Sequence, residues 1–175
     1  MMRVDENVVH ARPATCFLVA ADVERWPELL PHYRHVRFHR KDGFGRGLVE
    51  MAAWRYFGPL PYPTWWVSEM EADRMEPIVR YRHVDGITRG MDVCWEFLPH
   101  RNGARVRIVH EWAGPRWPLV GGLAANRVIG PAFVSAIARR TLAGVGAEAE
   151  RIERTPAAER HNPHAAATDD TDGPA

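Results

Sequence analysis

Lysine, cysteine and long apolar runs are scarce in this sequence. Lys41 is its only lysine, Cys16 and Cys94 are its only cysteines, and no run of about 18 apolar residues exists that could span a bilayer. The two cysteines lie far apart and lack the paired spacing of a zinc site or a redox dithiol. We therefore expect reduced thiols and a cytoplasmic protein.

An excess of charge of one sign is also missing. The 23 basic residues are balanced by 22 acidic residues, which leaves a net charge of +1. This balance predicts no nucleic-acid partner. The sequence contains no glycine-rich phosphate loop, nucleophile elbow or HExxH motif, so nucleotide, serine-hydrolase and zinc-protease chemistry have no support. We expect no cofactor and no metal.

What the sequence does contain is enough apolar material for a core. Its 175 residues are 46% hydrophobic and include 7 Trp, 4 Tyr and 6 Phe, which favours one globular domain. From Thr155 onward no large apolar residue occurs, so that segment offers nothing to offset the entropy of ordering it. We expect a ligand-binding domain over residues 1–154 and a disordered tail over residues 155–175.

The order of periodic segments predicts an α+β fold. A strand is predicted at Arg3–Ala11 and is followed by a helix that starts at Pro13 and ends at Trp26-Pro27. A second short helical turn is predicted at Glu28–Leu30. The long segment Leu119–Arg154 is predicted to be helical, with a break at Gly130-Pro131. Alternation of apolar and polar residues predicts six strands in between, at Tyr33–Lys41, Gly47–Arg55, Thr64–Glu71, Ile78–Asp85, Met91–Leu98 and Ala104–Trp112.

The connections between these strands favour an antiparallel meander. Asp42-Gly43, Asp85-Gly86 and Asn102-Gly103 are hairpin signals, because these pairs tolerate positive φ angles. A seven-stranded antiparallel sheet must cover its apolar face, and the terminal helix is the only element long enough to do so. The space between such a helix and its sheet is a common place for a small ligand.

Two segments carry a resemblance to a known family. The stretches ADVERWPELLPHY, with a D-V-x-x-W-P-x-L motif over Asp22–Leu29, and HVDGITRGMDVCWEF resemble the START-like (SRPBCC, helix-grip) superfamily, in its branch of polyketide cyclases, aromatases and coenzyme Q-binding proteins. The resemblance covers about residues 3 to 152. It implies a sheet wrapped around the long terminal helix and a deep hydrophobic cavity, without fixing one reaction.

The resemblance also implies site residues. Trp26, Leu30 and Tyr33 match positions that line the cavity in aromatase/cyclase relatives, where the tyrosine hydroxyl orients the polyketide. An arginine that polarises the reacting carbonyl follows Val-Ser-x in those relatives. This sequence has Met70 at that position, after Val67-Ser68-Glu69. A thioether packs against a ring but cannot stabilise an enolate, so the aromatase mechanism does not carry over intact.

Strand periodicity suggests replacements for the missing arginine. His110 shares a face with Val106 and Ile108, so we expect it to point into the cavity as a general acid or base, or to be a core histidine bonded to the backbone. Arg82 and Arg55 are the candidate carbonyl polarisers, although the fifth strand leaves open whether Arg82 or the set Val79, Tyr81 and His83 faces inward. The remaining predicted wall residues are Met51, Trp66, Met70, Met91, Val93, Trp95, Ile108, Phe133 and Ile137.

Three functions follow from this interpretation. The first is binding of a polyketide-like or polycyclic molecule and assistance of its cyclisation or dehydration, with Tyr33, His110, Arg82 and Arg55 as catalytic residues. The second is a non-catalytic carrier of a quinone or lipid, and the third a regulatory partner of a ketosynthase or acyl carrier. The stiff aromatic loops 58–63 and 114–119 are predicted to be packed lids, with at most peripheral membrane contact as the alternative.

Overall fold

The computed structural model of the chain describes residues 2–57, 60–113 and 130–155; of these, residues 55–57, 60 and 130–133 are described by backbone alone. The predicted loop 114–119, the predicted entry helix up to residue 129 and the predicted disordered tail beyond Thr155 lie outside the described residues. Among the described helices, none is long and apolar enough to cross a membrane.

Seven antiparallel strands form one sheet, as predicted. Along the sheet their order is β1-β7-β6-β5-β4-β3-β2, so each hairpin joins neighbours and the first strand closes onto the last. The strands are β1 (Met2–Val9), β2 (Tyr33–Gly43), β3 (Arg46–Phe57), β4 (Leu60–Asp73), β5 (Ile78–Gly86), β6 (Met91–His100) and β7 (Gly103–Trp112).

The fourth strand begins earlier than predicted. Residues Leu60–Pro63 were expected to be loop, but they pair with Trp54–Phe57 of β3. Proline is tolerated there because β5 pairs with β4 only from Trp66 onward, so this part of β4 is an edge that pairs with β3 alone. A proline N atom that faces the unpaired side removes no hydrogen bond of the sheet.

Among the described residues, three helices lie on one side of the sheet: α1 (Pro13–Ala21), α2 (Trp26–Leu29) and α3 (Gly130–Arg154), with a 3-10 turn at Val23–Arg25 between the first two. The predicted end of α1 at Trp26 was wrong. The helix ends at Ala21, because the next residue, Asp22, has a ψ of 62° that is not helical. Trp26 instead begins α2, where Pro27 fits because a first-turn N–H has no helical partner in any case.

The long helix α3 packs against β1 and α1 and is seated closely on α2. A Cβ at Gly144 would lie 2.1 Å from Cδ2 of Leu30, so glycine is what lets the two elements meet. Ser135 Oγ donates a 2.9 Å hydrogen bond to the buried carboxylate of Asp5 on β1. The helix therefore covers the inner face of the sheet, and the apolar core lies between them.

Candidate functional site

A small cavity lies between the amino-terminal half of α3 and the inner face of the sheet. Its volume is about 60 Å³. Strands β3 to β7 form its floor, and Trp26 and Tyr33 close one side. It is lined by Trp26, Tyr33, Met51, Trp66, Tyr81, His83, Thr88, Met91, Val93, Trp95, Ile108, His110, Val134, Ile137, Ala138 and Thr141.

Aromatic rings in mutual contact form one wall. The ring centroid of Trp26 lies 5.0 Å from that of Tyr33 and 5.8 Å from that of Trp95. Tyr33 in turn lies 6.2 Å from Trp66 in an edge-on arrangement. Rings in such edge-on and tilted contacts contribute a large apolar area to the wall.

Two histidines near the cavity are held by threonines. The His83 ring stacks on Trp66 at an interplanar angle of 13°, and its Nδ1 lies 2.5 Å from Thr88 Oγ. On the helix side, Thr141 Oγ donates to the carbonyl of Ile137 at 2.9 Å and lies 3.0 Å from Nε2 of His32. Because that hydroxyl proton is already used, we infer that Nε2 of His32 carries the proton in this contact.

Tyr81 presents a buried phenol to the cavity. The residue is 5% exposed, and its hydroxyl has no hydrogen-bond partner among the described residues. Burial, and to a lesser degree the nearby Tyr33, raises the pKa of Tyr81 well above its ordinary value of 10.0. The group therefore stays protonated in the physiological range and is available as a neutral donor.

Lys, Arg, Asp and Glu are all missing from the described wall of the cavity. Its polar groups are hydroxyls and imidazoles. A site of this composition suits an uncharged, largely apolar molecule with a few oxygen atoms, since a buried ion would lack a counter-charge in the described wall.

The structure brings most of the predicted site residues together. His110 lies at the cavity and is 7% exposed, and its β1 neighbour in register is Arg3. The other predicted residues that line the cavity are Trp26, Tyr33, Met51, Trp66, Met91, Val93, Trp95, Ile108 and Ile137. What each does to a ligand stays a prediction.

Leu30 and Met70 are buried but lie away from this cavity. Leu30 packs against Gly144 of α3, and the methyl end of Met70 lies beside Gly45 in the β2–β3 turn. Met70 is thus a core residue that pairs in register with Tyr81, although its own side chain is not part of the described cavity wall. The side chains of Arg55 and Phe133, both predicted at the site, lie outside the described residues.

Arg82 is a correction to the sequence prediction. Its side chain is exposed on the outer face of the sheet, opposite to the cavity. Its register partners are Glu69 on β4 and Asp92 on β6, two carboxylates that make this face favourable for a cation. Val79 and Tyr81, which alternate with Arg82, occupy the inner face instead. Arg82 is therefore not a polariser of a carbonyl in this cavity.

Several cavity residues were missed or left open by sequence reasoning. The alternation on β5 did not decide whether the face with Tyr81 and His83 or the face with Arg82 is the inner one, because both faces carry polar groups. Thr88 lies in the β5–β6 turn, where no periodic signal exists. Val134, Ala138 and Thr141 follow the spacing of Ile137 on α3 and could have been found by extending that stripe.

Residues 9–130 match the family model described as polyketide cyclase / dehydrase and lipid transport. The chain belongs to this family. No curated protein matches it significantly in sequence.

Solved structures with the same fold include members of this class. An aromatase/cyclase, ZhuI from Streptomyces sp. R1128, is 21% identical with a TM-score of 0.72, over 89% of this chain and 98% of that one. A protein from Thermus thermophilus is 19% identical with a TM-score of 0.70, over 89% and 100%. A START superfamily protein from Mycobacterium smegmatis is 10% identical with a TM-score of 0.66, over 86% and 98%. These likenesses confirm the helix-grip fold.

Proposed function

We propose that this protein binds an uncharged, polyketide-like or polycyclic molecule in the cavity under α3 and assists its cyclisation or dehydration. The observation that carries the proposal is the cavity itself, with touching aromatic rings on one side and neutral hydrogen-bonding groups on the others. Membership of the polyketide cyclase / dehydrase and lipid transport family supports it.

Tyr33 and His110 have the chemistry that ring closure needs. A neutral imidazole of His110 would accept a proton from a carbon that lies between two carbonyls, and the enolate carbon would then attack a second carbonyl of the same chain. The hydroxyl of Tyr33 would donate to the oxygen on which charge develops. The proton returns from His110 to the new alkoxide, and later loss of water gives the dehydrated ring.

Orientation supplies the rest of the rate enhancement in this proposal. A poly-carbonyl chain has many conformers, and only a few bring the reacting carbons together. A wall made of Trp26, Tyr33 and Trp66 selects a folded conformer, and a restriction of this kind contributes several kcal/mol without a strong acid or base. This matters here because no arginine lies in the described wall.

The test uses a reconstituted polyketide synthase that releases linear poly-β-ketone chains, and compares the products formed with and without this protein. We expect the wild-type protein to shift the products from spontaneous mixtures towards one cyclised compound. The double variant Tyr33→Phe with His110→Ala should lose that shift. The matched control is Tyr62→Phe with His39→Ala, which makes the same changes at exposed positions. An unchanged product distribution in the Tyr33/His110 variant contradicts the proposal.

A second candidate function is a carrier of a quinone or lipid. The observation that favours it is the position of Met70, which leaves the family arginine without a counterpart, together with the outward position of Arg82. Native mass spectrometry of protein purified from its own host, followed by organic extraction, distinguishes the two. A bound quinone or lipid supports the carrier, and an aromatic polyketide or its linear precursor supports the cyclase. Co-purification of an acyl carrier or ketosynthase would identify a protein partner.

A further inference from the structure

Tyr81 is the cavity group whose hydrogen bonding is least accounted for. Its hydroxyl is buried, lies at the cavity and has no partner among the described residues. A buried donor without an acceptor destabilises the folded protein, and such groups are rare unless they serve a purpose. We propose that Tyr81 is the specificity-determining donor of the site and binds a carbonyl oxygen of the ligand.

Neighbouring hydroxyl groups do not provide the missing acceptor. Ser68 lies next to Tyr81 diagonally across the β4–β5 ladder, since it pairs with His83, two residues along. Its own hydroxyl is fully buried and also has no partner among the described residues. Tyr33 is close enough to raise the pKa of Tyr81, yet it does not accept a hydrogen bond from the Tyr81 hydroxyl.

The protonation state of Tyr81 defines the class of ligand. A phenol that remains protonated has one O–H to donate, and the ligand group that satisfies this buried donor is an acceptor. The described wall contains no Lys or Arg, so a carboxylate ligand would lack a permanent counter-charge there, which is unfavourable. A purely hydrocarbon ligand would leave the phenol unpaired. The ligand class that fits is an uncharged ring system or folded chain with a ketone or quinone oxygen directed at β5.

This inference rests on the proposed function, because it requires a ligand in the cavity. The experiment therefore uses two probes of the same shape, indanone and indane, which differ by one carbonyl oxygen. Equilibrium dialysis measures the affinity of each for the full-length protein, and infrared spectroscopy measures the carbonyl stretch of bound indanone. The variant is Tyr81→Phe, which removes the hydroxyl and keeps the ring. Tyr62→Phe makes the same change at an exposed site.

We expect the wild-type protein and Tyr62→Phe to prefer indanone over indane. In Tyr81→Phe, indanone should bind about 3- to 10-fold more weakly, as for loss of one neutral hydrogen bond. Indane should bind at least as well as before, which shows that the cavity is intact. The carbonyl stretch of bound indanone should lie at lower frequency in the wild-type protein and rise in the variant.

Other outcomes overturn the inference in distinguishable ways. If the wild-type protein binds both probes equally, or if Tyr81→Phe weakens both equally, Tyr81 does not select a carbonyl, while binding in the cavity stands. If neither probe binds the wild-type protein, ligand binding in this cavity fails and the role of Tyr81 fails with it. An ordered water as the permanent partner of Tyr81 would give an unshifted carbonyl stretch.

Discussion

Replacing Gly144 with alanine tests the close packing of α3 against Leu30 at the end of α2. The new Cβ would lie 2.1 Å from Cδ2 of Leu30, whereas carbon atoms prefer separations of about 3.5 to 4.0 Å. Leu30 is 1% exposed and belongs to the apolar core. Overpacking of this kind costs about 1–3 kcal/mol, and the helix propensity of alanine returns about 1 kcal/mol. We expect a net loss of about 1 kcal/mol.

A double-mutant cycle separates the clash from other effects. Leu30→Ala alone should cost about 2–5 kcal/mol because it leaves a cavity. The double variant should lose less stability than the two single variants added together, because the alanine methyl enters the space that Leu30 vacates. We expect this difference to exceed about 0.5 kcal/mol. The assay is equilibrium unfolding in urea. The dependence of the unfolding free energy on urea concentration (the m-value) should be the same for all variants, so that the midpoints report stability.

Gly146→Ala is the matched control for this cycle. Its Cβ would lie 3.0 Å from Cγ2 of Val9, a milder contact that the gain in helix propensity roughly offsets. A Gly144→Ala variant that is more stable than the wild type, and additive with Leu30→Ala, would refute the reasoning.

Two further predictions concern the outer surface and the end of α3. Arg82→Ala should leave indanone binding unchanged and alter stability by less than about 0.5 kcal/mol, because the side chain is exposed on the outer face; a several-fold loss of binding measured by dialysis would place it in the site after all. Hydrogen bonds from Arg151 at 2.6 and 2.8 Å hold the pKa of Glu148 below its usual value of 4.5, although burial opposes this. A lowered folded-state pKa stabilises the protein above the unfolded value and loses that effect as the pH falls through the folded value. Wild-type protein should therefore exceed Glu148→Gln in urea midpoint at pH 7, with a difference that shrinks as the pH falls below about 4.5; a difference independent of pH would contradict this.

The topology was predictable because the turns are encoded locally. Asp42-Gly43, Asp85-Gly86 and Asn102-Gly103 all lie at hairpin ends, and Gly43, Gly86 and Gly103 have φ angles of 144°, 88° and 132°. At Gly86 an added Cβ would lie 2.4 Å from the carbonyl oxygen of Trp65, so glycine is required there for space as well as for conformation. Local requirements of this type leave a signal in a single sequence.

The cavity was only partly predictable because its wall depends on long-range packing. Period-two alternation identified Met91, Val93 and Trp95 on β6, where one face is plainly apolar. On β5 it could not choose between Arg82 and Tyr81, because both faces of that strand carry polar groups; the register partners of Arg82, Glu69 and Asp92, lie on the neighbouring strands. Tertiary neighbours of this kind are set by register, which the sequence of one strand does not contain.

The anchoring of α3 bears on how a ligand larger than the cavity would fit. In the described part of the chain, the carboxyl-terminal half of the helix is held by several contacts outside the cavity. These are the Gly144–Leu30 contact, the Glu148–Arg25 ion pair at 3.9 Å and the Glu153–Arg12 ion pair at 2.9 Å.

The cavity lies under the other half of α3, where Val134, Ile137 and Ala138 form its roof. Pockets for drug-sized ligands have volumes of about 300–1,000 Å³, so a wall must move to admit a ring system. Met51 and Met91 are the unbranched side chains of that wall and can change shape without backbone motion. We therefore expect a larger ligand to be accommodated first by the side chains of Met51 and Met91, because the carboxyl-terminal half of α3 is held by its contacts with Leu30, Arg25 and Arg12.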